Sequence, residues 1–148
     1  RLSLVGSEMC IRDSNADDSR PYPGIPELLS YLQDAGIQIT VASNKYQAAT
    51  QKLIDHYFPE IHFTAVFGQR EGIKVKPDPT VVFDILEVAK VTKEEVLYVG
   101  DSGVDMQTAV NSGVTSVGVT WGFRDREELV ESGAAHIVDK PAEILDLL

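Results

Sequence analysis

Asp101 and Asp105 stand four residues apart in the stretch E-V-L-Y-V-G-D-S-G-V-D, which runs from Glu95 to Asp105. Carboxylates at that spacing lie one helical turn apart, and hard oxygen donors of this kind suit Mg²⁺. Two further residues offer matching chemistry. Ser43, in V-A-S-N-K, brings a hydroxyl followed by backbone N–H groups that could hold a phosphate oxygen at a helix start. Lys76, in K-P-D-P, brings an ammonium on a loop that the following prolines stiffen. Each has a plainer alternative, since Ser and Asp cap helices and close turns, and a loop lysine is ordinarily solvated. A phosphate and magnesium site requires that the chain bring all of them to one place.

The flanking sequence indicates how. The apolar run over 96–99, ended by Gly100, reads as a strand buried on both faces, and Ser102 with Asp105 forms the S-x-x-D pattern of a capping box at a helix start. Earlier in the chain, Leu28, Leu29, Leu32 and Ala35 follow Pro26 at the spacing of an amphipathic helix that Gly36 ends. Ile37, Ile39, Val41 and Ala42 predict a buried strand stopping at Ser43, with a helix over 46–58 after it. A short strand at 64–67, a polar loop over 69–76 and a helix over 79–90 come next, and a strand at 114–120, a helix at 125–132, a strand at 136–139 and a terminal helix at 141–148 complete the order. This alternation predicts an α/β fold, a doubly wound parallel sheet covered on both faces. In such a sheet the residues just past the strand carboxyl ends line one crevice, which would unite Ser43, Lys76, Asp101 and Asp105.

Composition narrows the partners. The chain has 148 residues, 43% of them hydrophobic, enough for one domain with a real core. Its net charge of −10, from 13 basic and 23 acidic residues, opposes contact with nucleic acid and suits a soluble, cytoplasmic protein that binds a small molecule through a metal. No apolar run approaches the roughly 20 residues of a membrane helix. The single cysteine, Cys10, forms no internal disulfide. His56, His62 and His136 lack ligand spacing, Trp121 and Phe123 could border the crevice or pack in the core, and nothing in the sequence reads on oligomeric state.

The order V-A-S-N-K, then K-P-D-P, then V-G-D-S-x-x-D resembles motifs two, three and four of the haloacid dehalogenase superfamily, above all its phosphoglycolate-phosphatase-like branch. The resemblance extends over most of the chain from Pro21 to Leu148, including G-V-T-W-G-F-R and A-A-H-I-V-D-K-P-A-E-I-L. It implies a Rossmann-like core and a Mg²⁺-dependent phosphatase acting on a small phosphomonoester, with phosphoglycolate favoured. By the same resemblance Ser43 and the Asn44 backbone would bind the phosphoryl group, and Lys76 would neutralise charge on it. Asp101 would coordinate Mg²⁺, while Asp105 would support the metal shell and orient Lys76.

The family's first motif, D-x-D-G-T after a strand, supplies its nucleophilic Asp, and these 148 residues do not contain it. Leu4 to Asp13 reads L-V-G-S-E-M-C-I-R-D, which looks like a translated sequencing adapter. Residues 1–14 are therefore expected to be non-native, 15–24 a linker returning from a missing cap, and 25–148 a partial core lacking its first central strand. The vacant slot could then be taken by residues 2–5, and the chain as given would not turn over. Three alternatives stay open: a β-phosphoglucomutase-like or pyrophosphatase member of the same superfamily, a receiver-like phospho-acceptor module, and a non-catalytic domain binding phosphate and magnesium.

Overall fold

The computed structural model describes residues 3–6, 11–12, 20–122 and 124–148. Six strands form one parallel sheet in the order β5-β4-β1-β6-β7-β8: β1 (Ser3–Gly6), β4 (Gln38–Tyr46), β5 (Ala65–Gln69), β6 (Val96–Gly100), β7 (Thr115–Val119) and β8 (His136–Val138). A separate antiparallel pair joins β2 (Ile11–Arg12) to β3 (Arg20–Pro21). Sequence order runs outward in both directions from β1. The chain therefore has its topological switch point between β4 and β6, where open α/β sheets bind ligands.

Period-2 alternation decides which helix meets which face. Ile39 and Val41 of β4, Val99 of β6 and Val117 and Val119 of β7 point to one side. There they pack on Ile25, Leu28, Leu29 and Leu32 of α1 (Ile25–Asp34) and on Ile54 of α2 (Gln47–Tyr57). Ala42, Val96 and Tyr98 point the other way, onto Val81, Val82 and Ile85 of α3 (Thr80–Ala89) and Ala109 of α4 (Gly103–Ser112). The expected three-layer, doubly wound architecture is present, and the described residues include no separate helical cap.

One expectation is met and others change in detail. First, the central slot is filled: Ser3–Gly6 pairs in parallel with Gln38–Val41 on one side and Val96–Val99 on the other. The expectation for that slot, residues 2–5, is met over Ser3 to Val5, and Leu2 lies outside the described residues. Second, β4 does not stop at Ser43 but continues to Tyr46, because pairing with β5 resumes at Tyr46 opposite Gln69 after an irregularity beyond Ala42. Helix α2 accordingly begins only at Gln47. Third, the last helical segment, Pro141–Leu147, is a 3₁₀ helix, and α5 spans Arg126–Glu131. Arg20–Pro21, expected within the linker, is paired with Ile11–Arg12.

Candidate active site

The site is built around a buried ammonium. Lys76 is 7% exposed, and its Nζ donates to the Ala42 carbonyl at 3.2 Å and to Asp105 Oδ1 at 2.7 Å. Asp105 is 3% exposed, and its Oδ2 accepts from the Asp101 N–H at 3.2 Å and from the Ser102 hydroxyl at 3.1 Å. Both carboxylate oxygens thus accept from protein donors, which holds the side chain toward Lys76. A buried pair of this kind is tolerable only because its remaining polar positions are satisfied in this way.

Helix α4 supplies the frame. Ser102 caps it by accepting from the Asp105 N–H at 3.3 Å, as the capping pattern implied. The Asp105 carboxylate also accepts from the Asp101 N–H and from Lys76 Nζ, which ties the first turn of α4 to the end of β6 and to the lysine loop. Glu128 of α5 takes up another open donor of this helix end, accepting from Gly103 N–H at 2.7 Å. No motif pointed to Glu128, since its contact spans 25 residues of sequence.

The Ser43 side of the site departs from the expectation. The sequence predicts a helix start after Ser43, offering N–H groups to an anion. In the structure they belong to β4, and the Lys45 N–H is already bonded to Ser43 Oγ at 3.0 Å. The interruption of the β4–β5 ladder between Ala42 and Tyr46 is the physical reason, because an irregular strand end re-aims its side chains. Asn44 is fastened to the lysine loop: its Oδ1 accepts from Lys76 N–H at 2.9 Å and its Nδ2 donates to the Lys76 carbonyl at 3.3 Å. The Lys76–Pro77 peptide is cis. Ser43, Asn44 and Lys76 line one narrow cleft with Arg70, whose guanidinium stacks 4.3 Å above the Phe67 ring and pairs with Asp84 at 3.3 Å.

All five residues singled out from sequence therefore lie along the carboxyl edge of the sheet. Ser43 and Asn44 follow the β1-paired part of β4, Asp101 follows β6, and Lys76 bridges Ala42 to Asp105. Asp101 is half-buried, and the loop after β7 comes so close that a Cβ on Gly122 would lie 2.3 Å from its Oδ2. The donor set fits one side of a magnesium shell. Mg²⁺ commonly takes one or two carboxylates, substrate phosphate and several waters. Asp101 offers the carboxylate, and no group of three or more His, Cys, Asp and Glu gathers among the described residues.

Comparison with known proteins places the chain in a family. The family model for haloacid dehalogenase-like hydrolases matches residues 9–119. A phosphoglycolate phosphatase of Mesorhizobium japonicum is 35% identical over 114 residues, covering 77% of this chain and 50% of that protein. Among solved structures, one from Lactobacillus delbrueckii subsp. bulgaricus, provisionally assigned as a phosphoglycolate phosphatase, superposes with a TM-score of 0.83 at 35% identity. That match covers 88% of this chain and 54% of the other. A Thermotoga maritima structure provisionally assigned as a β-phosphoglucomutase gives a TM-score of 0.77 at 27% identity, covering 87% and 60%. The chain spans about half the length of the curated relatives it matches.

Proposed function

Because this chain belongs to the haloacid dehalogenase-like hydrolases, we propose that it is the core of a Mg²⁺-dependent phosphatase acting on a small phosphomonoester, with phosphoglycolate the favoured substrate. The observation that carries the reading is the Lys76 ammonium, buried against Asp105 and set between the ends of β4 and β6. A fixed positive charge at a switch point is what a transferring phosphoryl group needs, since its chemistry is mostly positioning and charge stabilisation.

In this reading Ser43 hydrogen-bonds the phosphoryl oxygens, and Asn44 keeps the lysine loop in register with the end of β4. Lys76 neutralises the charge that builds on those oxygens, and Asp105 holds the lysine in place while supporting the metal shell through the Asp101 N–H. Asp101 holds the metal. When bound, Mg²⁺ supplies further charge neutralisation at the phosphoryl group. The acceptor carboxylate belongs to the family's D-x-D-G-T motif, which these 148 residues lack, so the chain by itself is inactive. A small phosphorylated substrate, no nucleic-acid or membrane partner and a cytoplasmic setting complete the proposal. The acidic net charge argues against a nucleic-acid partner, and no helix among the described residues is long and apolar enough to cross a membrane. The likeness to the Thermotoga structure keeps phosphomutase activity as the second reading.

The test is a chimera in which the first-motif strand and cap of the Mesorhizobium relative precede Pro21. It should hydrolyse phosphoglycolate only with Mg²⁺, and Lys76→Met should lower kcat by about 10²-fold or more. The 148-residue chain alone should show no turnover. Magnesium-dependent hydrolysis by that chain, abolished by Asp101→Asn, would show that the nucleophile has been misassigned.

A further inference from the structure

We infer that Gly122 is a positioning residue for the Asp101 carboxylate: the turn leaving β7 folds back onto the end of β6 and forms the wall against which that side chain rests. The inference rests on the reading of Asp101 as the residue that holds the metal.

A Cβ at Gly122 would lie 2.3 Å from Asp101 Oδ2, 2.5 Å from its Cβ and 2.7 Å from its Cγ. The contact with Cβ is the decisive one. Rotation about χ1 or χ2 moves the carboxylate but leaves Cβ where it is, so no rotamer change relieves the clash. Either the end of β6 or the turn after β7 must shift. The glycine at 103 is a useful contrast, because a Cβ there would meet the Ser132 hydroxyl at 2.6 Å, a side-chain tip that can swing away. Gly122 does not have the left-handed φ seen at Gly24, Gly36, Gly72, Gly113 and Gly133, so its backbone conformation does not demand glycine and the lack of space does.

The same device recurs one strand away. Gly100, which pairs with Gly118 of β7, would place a Cβ 2.3 Å from Asp105 Cβ and 2.5 Å from its Cγ. Each of the two carboxylates of the D-S-x-x-D stretch thus rests against a glycine that leaves it no spare volume. For Asp101 the Gly122 backbone is a steric stop contributed by a different βα loop, and such outer partners commonly set metal affinity by fixing ligand direction.

The experiment titrates the 148-residue chain with Mg²⁺ alone, following the backbone amide resonances of Gly100 to Ser102. Gly122→Ala should weaken Mg²⁺ by about fivefold or more, whereas adding Gly122→Ala to Asp101→Asn should weaken it no further than Asp101→Asn alone. A smaller loss, or full additivity, overturns the inference. Should Gly122→Ala not fold, the double variant Asp101→Gly with Gly122→Ala removes the clashing Cβ and must regain cooperative melting; failure to regain it also overturns the inference. Wild-type affinity in Asp101→Asn would overturn both this inference and the functional reading, while loss there with none in Gly122→Ala would overturn this inference alone.

Discussion

At the residue scale the account turns on Lys76 and Asp105, a pair whose side chains are only 5% and 4% exposed. Removing one member strands a buried charge, so Asp105→Ala should destabilise the chain by about 3–5 kcal/mol in chemical denaturation. Replacing both, as Lys76→Met with Asp105→Leu, should recover most of that loss, because a well-packed apolar pair avoids the desolvation penalty. No recovery would mean that the pair stabilises the core through more than its mutual attraction. Asn44→Ala removes two hydrogen bonds to the Lys76 backbone and should cost about 1–3 kcal/mol. The residue types were legible in sequence because turn chemistry and charge have local signatures. The side-chain work of Asn44 and the closeness of Gly122 to Asp101 were not, since both depend on contacts between distant loops.

At the scale of elements, helix starts carry the site. Ser102→Ala should cost about 1 kcal/mol through loss of the α4 cap, and it should also loosen Asp105, whose Oδ2 accepts from that hydroxyl. Asp78 does comparable work ahead of α3: bonds from the Thr80 hydroxyl and backbone N–H hold its carboxyl below the ordinary 3.8. Asp139 is lowered as well, first by the Thr120 hydroxyl and then by Arg126. A depressed carboxylate pKa adds stability above the unfolded value and loses it as pH falls through the folded one. Stability should therefore decline below about pH 4, and Asp78→Asn should flatten that decline in denaturation measured from pH 5 to pH 2.5. An unchanged slope would show that Asp78 is equally hydrogen-bonded in the unfolded chain. The boundary missed from sequence was that between β4 and α2. V-A-S-N-K reads as a strand ending at a turn, yet Tyr46 rejoins the ladder opposite Gln69, a pairing that only the tertiary register reveals.

At the scale of the whole molecule, the parallel sheet and its two helical layers were legible from strand–helix alternation alone, because buried parallel strands must read as short apolar runs. The occupant of the central slot was only partly so. Ser3–Gly6 joins β4 to β6, and without it the facing edges of both strands would carry unpaired backbone groups at about 1–3 kcal/mol each. Against a net stability of roughly 5–15 kcal/mol, deleting residues 1–14 should abolish cooperative unfolding followed by circular dichroism. Retained cooperative melting would show that the core does not depend on that strand. The claim that unites these scales is that the ends of β4 and β6 frame one site for magnesium and phosphate. It is tested most directly by adding Mg²⁺ and inorganic phosphate to the 148-residue chain and mapping the backbone amide shifts. The account predicts shifts clustered at Ser43, Asn44, Lys76 and Asp101, with the magnesium response lost in Asp101→Asn. Shifts located elsewhere, or an undiminished magnesium response in Asp101→Asn, would contradict it.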